Sequence, residues 1–166
     1  MVKSRTTTIS HAFAASIAPC DAFDDITVRR ALQVLGQDPD AELLCAYCGS
    51  RAETWDHVNA TVLDKKFSGY GHRLGNLLPC CKPCNSKKGN KEWFIFLRAL
   101  PMDQEICAER ESRISKYLSQ YCIKDIVPEH LPEYEQLQEL RRQVLEIFRQ
   151  ADELASVIRQ KAEEHL

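Results

Sequence analysis

The sequence predicts an α+β chain, mostly helical, built around a small metal-organised module. Three observations lead there. Two Cys-x-x-Cys knuckles, Cys45/Cys48 and Cys81/Cys84, bracket a stretch of strand-like and loop-like composition. Past the second knuckle the apolar spacing turns helical and stays so. Ahead of the first, one short amphipathic run reads as a helix. The expected organisation is residues 1–44 as an N-terminal arm and helix, 45–100 as the module, and 101–166 as a C-terminal helical extension.

Each element has its own signals. Residues 1–20 show little periodicity and read as an arm. From Asp25, DITVRRALQVLG places Val28, Leu32 and Leu35 on one face, with Asp24, Asp25 or Thr27 as cap and Gly36 as terminator. Thr54 to Val58 has strand composition. Asn59 to Arg73, with Lys65, Lys66, Gly69 and Gly71, reads as a flexible basic loop, and Leu74 to Pro79 as the returning strand or turn. From Lys82 the chain is helical with an interruption near Gly89, and Trp93, Phe94, Phe96, Leu97 and Leu100 supply apolar bulk. Pro101 ends that helix and Asp103 can cap the next, whose face carries Ile106, Ile114, Tyr117, Leu118 and Tyr121. Pro128 and Pro132 mark a hinge. Beyond them Leu137, Leu140, Val144, Ile147, Ala151, Leu154 and Ile158 form a heptad seam. It suits either a long helix packed on the Asp103 helix as a hairpin or a dimerising coiled coil.

Composition narrows the function classes. The chain has 166 residues, with 22 Lys+Arg against 24 Asp+Glu, but this balance conceals a gradient. Residues 45–99 carry nine basic and four acidic side chains, residues 129–166 five basic and nine acidic. A basic centre with an acidic tail suits a polyanion site on a scaffold. Eight cysteines raise the prospect of a disulfide framework, but their paired spacing is that of metal knuckles. The start lacks a secretory cleavage pattern, and no run reaches the roughly 18 apolar residues of a membrane span. The expectation is a protein of the reducing cytoplasm with no membrane association.

Four thiolates from Cys45, Cys48, Cys81 and Cys84 are the ligand set of a closed tetrahedral Zn²⁺ site, which leaves no position for substrate. Such a metal is structural, and the chemistry falls to what the knuckles hold: Asp56, His57 and Asn85. Phosphodiester hydrolysis needs an activated water, which a near-neutral histidine such as His57 supplies. It also needs charge stabilisation, which a hard divalent ion supplies through oxygen ligands such as Asp56 and Asn85. Asp56 and His57 are neighbours, and on a regular strand they point to opposite faces. A single site needs a twist or bulge there.

The order Cys-x-x-Cys, Asp-His, Gly-rich loop, Asn-Leu, Cys-x-x-Cys-Asn with trailing lysines resembles the HNH endonuclease family over about Cys45 to Lys91. The resemblance implies a ββα-metal module, with His57 as general base and Asn76 fixing the loop that holds the base. It further implies Asp56 and Asn85 as ligands of a catalytic Mg²⁺ or Mn²⁺, and structural zinc on the four thiolates. Asn85 stands where the name-giving pattern has His, which favours the oxygen-seeking ions. The implied activity is metal-dependent hydrolysis of DNA.

Lys65, Lys66, His72, Arg73, Lys87 and Lys88 are the candidate nucleic-acid contacts, phosphate-directed and poor in sequence information. Cys80 reads as a buried thiol beside the second knuckle, and Cys20, Cys107 and Cys122 as small core residues. DNA is the expected partner, with a homodimer through the C-terminal helix as a second. The rival reading is a non-catalytic zinc module that binds nucleic acid or protein.

Overall fold

The computed structural model describes residues 2–22 and 24–164. They form two compact units that do not follow the sequence segments: residues 18–61 with 68–125, and residues 1–17 with 62–67 and 126–166. Each is a discontinuous piece of chain closed by packing.

The first of these holds the knuckles. Helix α2 spans Asp25–Val34, and Asp24 caps it by accepting from the backbone N–H groups of Ile26 (3.3 Å) and Thr27 (3.2 Å). Its Ala31 and Leu32, with Leu35 just beyond, are buried. Strand β1 (Thr54–His57) pairs antiparallel with β4 (Leu77–Cys80) in an unbroken register, Thr54 opposite Cys80 through His57 opposite Leu77. Helix α3 (Lys82–Lys88) follows at once and packs on β1. Gly89, at φ 49° and ψ −125°, ends it in a conformation that a side chain would resist. Helix α4 (Trp93–Arg98) then starts anew, so the expected interruption lies where the glycine stands. The observed order is strand, excursion, strand, helix.

Helix α5 (Gln104–Tyr121) closes this unit. Asp103 precedes it without a side-chain capping bond. Ile114 and Tyr117 are buried, joining Tyr47, Leu78, Phe96 and Leu97 in one core. Tyr47 meets Phe96 edge to face with ring centroids 5.2 Å apart. Ile106, expected on the apolar face, leaves 40% of its surface exposed. The Tyr117 hydroxyl donates to the carbonyls of Leu77 (2.8 Å) and Leu74, fastening α5 to a short 3-10 turn, Leu74–Asn76, ahead of β4. That turn sits so close to the end of α5 that a Cβ on Gly75 would run into the carbonyl of Tyr121.

The second unit differs from expectation in two places. The supposed arm is helix α1, Val2–Ser16. It packs on the long C-terminal helix α6 (Pro132–Glu164) through small residues, the buried Ser10 and Ala14. Arg141 Nη1 donates to Ser10 Oγ at 3.2 Å. An apolar period misses a helix whose contact face is serine and alanine. The basic loop, in turn, contains a hairpin, β2 (Val62–Leu63) paired with β3 (Lys66–Phe67). Asp64 and Lys65 turn it with φ of 49° and 66°, the left-handed pair of a two-residue hairpin, without the usual glycine to announce it.

On α6, Leu140, Ile147, Leu154 and Ile158 of the heptad seam are exposed, the last two by about two thirds (66% and 67%). No helix among the described residues is long and apolar enough to cross a membrane.

Gly75→Ala is expected to destabilise the chain by about 1–3 kcal/mol, because the added methyl must push helix α5 off the turn. Denaturant unfolding of the two proteins side by side checks it. Unchanged stability would show that this approach is not tight.

Candidate metal centre and histidine pair

The knuckles meet because each is anchored to the same hairpin. In the first, Cys45 N–H donates to Ser50 O (2.6 Å) and Gly49 N–H to Cys45 O (2.9 Å), while Ala46 N–H donates to Pro79 O of β4 (2.9 Å). In the second, Cys81 takes the N-cap position of α3, and Cys84 lies in its first turn. All four sulfur atoms, of Cys45, Cys48, Cys81 and Cys84, come within 4.8 Å of one another. Zinc–sulfur bonds of about 2.3 Å place tetrahedral sulfurs about 3.8 Å apart. Cys48 and Cys81, at 3.6 Å, already stand at that spacing. This is a four-cysteine cluster able to hold a metal ion such as zinc.

A fifth thiol borders it. Cys80 is fully buried, its Sγ 3.9 Å from Cys45 Sγ and 3.4 Å from the Cys81 carbonyl. As a donor to Cys45 it favours the Cys45 thiolate, drawing that pKa down to about 4, while its own is pushed up. Of the cysteines read as core, Cys20 is exposed, and Cys107 and Cys122 are half-buried.

The unbroken register of β1 separates Asp56 from His57. No bulge lies in the strand, so consecutive side chains face opposite ways. Asp56 turns into the core, only 3% exposed. Its carboxylate accepts from the Tyr47 hydroxyl (2.7 Å) and pairs with Lys88 Nζ (3.1 Å). Burial drives the Asp56 pKa up, and the Tyr47 and Lys88 contacts oppose it. Lys88 is equally buried at 1% exposure and also donates to the carbonyls of His57 (2.8 Å) and Gly89 (3.3 Å). Breaking such a pair from one side costs about 3–5 kcal/mol, because the remaining charge is stranded.

His57, half-buried on the opposite face, meets His72. Its Nε2 lies 2.9 Å from His72 Nδ1, and the rings cross at 69°. Burial, then the charges of His72 and Lys88, hold the His57 pKa below its ordinary 6.5. Asn76 organises the loop between them. Its Oδ1 accepts from Asn59 N–H (2.8 Å), and its Nδ2 donates to the carbonyls of Asn59 (3.0 Å) and Gly71 (3.1 Å). This buried amide therefore pins the backbone just after His57 and just before His72.

Asn85 projects from α3 and donates through Nδ2 to Thr54 Oγ1 (3.1 Å) and Trp55 O (3.2 Å). Its side chain is tied to β1, and the Asp56 carboxylate is committed to Tyr47 and Lys88. Of the two oxygen ligands expected for Mg²⁺ or Mn²⁺, the Asp56 carboxylate is thus engaged by Tyr47 and Lys88, and Asn85 uses its amide nitrogen toward β1.

The candidate phosphate contacts sort by charge. Lys66 is engaged by Glu129 at 3.1 Å. Arg73 is held by Asp125 (2.6 Å) and Asp21 (2.8 Å), and Lys88 is inside the core. Lys88 is thus a core cation, whereas Lys66 and Arg73 are ion-paired but still reach the surface. Lys65 and Lys87 are exposed. Tyr47 was missed as a site-adjacent residue. It lies inside the first knuckle, between two of the clustered cysteines, and that position was the available signal. Nothing in the sequence links Asp125 to Arg73.

Compared with protein-family models, curated proteins and solved structures, the chain matches none.

The cluster makes a selective prediction about its five thiols. Purified chain is expected to carry one zinc, measured by elemental analysis, and Cys80→Ala to keep it. Cys84→Ser should lose the metal and unfold in the presence of a chelator at concentrations the parent survives. Loss of zinc in Cys80→Ala with retention in Cys84→Ser would reverse the ligand assignment.

Proposed function

We propose that the chain is an HNH-type endonuclease that hydrolyses phosphodiester bonds in DNA, with structural zinc on the four cysteines. The observation that carries this reading is the His57–His72 pair held by the buried Asn76 amide on a strand–excursion–strand–helix frame. A histidine meant as general base must be neutral at working pH and fixed in place. The depressed pKa of His57 serves the first need, and the bonds from Asn76 to Asn59 and Gly71 serve the second.

The chain's own groups suggest a division of labour. His57 takes a proton from water, whose oxygen then attacks phosphorus as the bond to the 3′ oxygen breaks. For Nε2 to act, its bond to His72 must open toward the incoming substrate. His72 is then the second proton-bearing group beside the phosphate, placed to stabilise or protonate the leaving oxygen. The Mg²⁺ or Mn²⁺ implied by the resemblance would polarise the phosphate if bound. The commitment of Asp56 to Lys88 does not fit that ligand role, so no step is assigned to the ion.

That same commitment favours a second reading, a non-catalytic zinc module for nucleic acid or protein, in which the Asp56–Lys88 pair is purely structural. Supercoiled-plasmid cleavage with Mg²⁺ or Mn²⁺ separates the two. The wild type is expected to nick or linearise, and His57→Ala to lose at least 100-fold in rate. Full activity in His57→Ala removes the base assignment, and inactivity of the wild type on plasmid, single strands and RNA favours the binding module.

The pH dependence follows from the sign of the His57 shift. A folded-state pKa below 6.5 keeps the base competent at neutral pH, with loss only as pH falls through that lower value. The acid limb of the pH–rate profile is therefore expected below 6.5. The profile is read in kcat/KM, which reports the free enzyme, and a limb at or above 6.5 there would count against His57 as the titrating base.

The exposed seam of α6 further suggests a homodimer through that helix, which would bring two sites to one duplex. Sedimentation at micromolar concentration is expected to give twice the chain mass. A monomer there would leave a nicking enzyme.

A further inference from the structure

Alongside the histidine pair lies an open groove of about 580 Å³ that none of the chemistry above uses. We propose that it is a nucleobase subsite, which takes one unpaired base of single-stranded DNA and so seats the adjoining phosphate at His57 and His72. The proposal rests on the nuclease reading for the role of the phosphate, but the binding it asserts stands on the groove itself.

Its position comes from the strand. Trp55 and His57 are two residues apart on β1, so they share the face opposite Asp56. Trp55 leaves 43% of its surface to solvent, a large apolar ring on the wall of a groove. Val28, Leu74 and Leu77 line the same space, and His72 borders it. One residue thus belongs to both groove and histidine pair, with His72 Nδ1 only 2.9 Å from His57 Nε2.

The chemistry of the lining selects the occupant. A volume of this order is that of a small-molecule site, wide enough for a nucleotide and far too small for a duplex. An exposed indole offers the flat surface on which any base stacks. Among the described residues the lining contains two carboxylates, Asp21 and Asp24, and no lysine or arginine. Asp21 is ion-paired with Arg73 and Asp24 caps α2, so this wall offers a phosphate no free cation, while the indole and the apolar lining suit a base, with its phosphate left outside. Asp21 accepts from Arg73 Nη1 (2.8 Å) and Leu74 N–H (2.7 Å), and Asp24 caps α2. Each carboxylate retains further lone-pair positions. Carboxylates accept from the exocyclic amino group of cytosine, so amino-bearing bases are preferred to thymine.

The test measures binding of the full zinc-loaded chain to fluorescein-labelled ten-residue oligonucleotides by anisotropy, at low salt and without divalent ions. The expected order of affinity is oligo(dC) above oligo(dT), and both above a blunt duplex of the same length. Trp55→Ala is expected to weaken oligo(dC) binding roughly 5- to 150-fold, and Trp55→Phe, which keeps a ring, to weaken it by less than about 5-fold. If Trp55→Ala fails to fold by circular dichroism, Trp55→Leu replaces it, filling the space without an aromatic face. Equal binding by the aromatic and aliphatic variants, preference for duplex, or tighter binding of oligo(rC) than oligo(dC) overturns the proposal. Preference for oligo(dT) overturns the role of the carboxylates. Binding as expected without any cleavage sinks the nuclease reading and leaves the subsite, whereas cleavage with binding indifferent to Trp55 does the reverse.

Discussion

The convergence of four thiols from two distant knuckles is the constraint on which the site depends. Cys45 and Cys48 enter from a turn, and Cys81 and Cys84 from the first turn of α3, so their meeting fixes where that helix starts relative to β1. Everything downstream inherits that placement. Asn85 reaches Thr54 and Trp55 because it follows Cys84 directly, and Lys88 reaches Asp56 because it lies one helical turn further on. A core this small gains from any cross-link that its own apolar area cannot supply, and a metal ion held by the four thiols would provide one.

Strand β1 divides that scaffold into two environments. On its inner face Asp56 joins Tyr47 and Lys88 in a buried network whose members satisfy one another. On its outer face Trp55 lines the groove and His57 joins the histidine pair. The inner network acts on the outer face through the backbone, since Lys88 also donates to the carbonyl of His57. Polar burial and reactive exposure thus share one four-residue strand, and the regular register keeps them apart.

Charge is distributed with similar economy. The excess of basic residues in the central segment suggests a phosphate-binding surface, yet much of it is spent internally. Arg73 draws two carboxylates around the loop that carries His72, and Lys88 is a core cation. What this leaves at the groove is an acidic and apolar lining, a surface better matched to bases than to phosphates.

The sequence by itself determined what short-range chemistry controls. The four-cysteine set and the break at Gly89 were legible, as were α2 with its Asp24 cap and the strand at Thr54, because spacing, turn residues and apolar period encode them locally. The conflict between Asp56 and His57 was legible too, from the alternation of a strand. Only the tertiary structure decided how that conflict resolved, because the partners of Asp56 lie nine residues before it and thirty-two after. Helix α1 and the Val62–Phe67 hairpin escaped the sequence for a related reason. One buries a serine and an alanine, and the other turns on Asp64 and Lys65 without glycine, so packing rather than pattern specifies both. The basic side chains looked alike in the sequence. Which of them were free was settled by carboxylates such as Asp125 and Glu129, brought up by folding from more than fifty residues away.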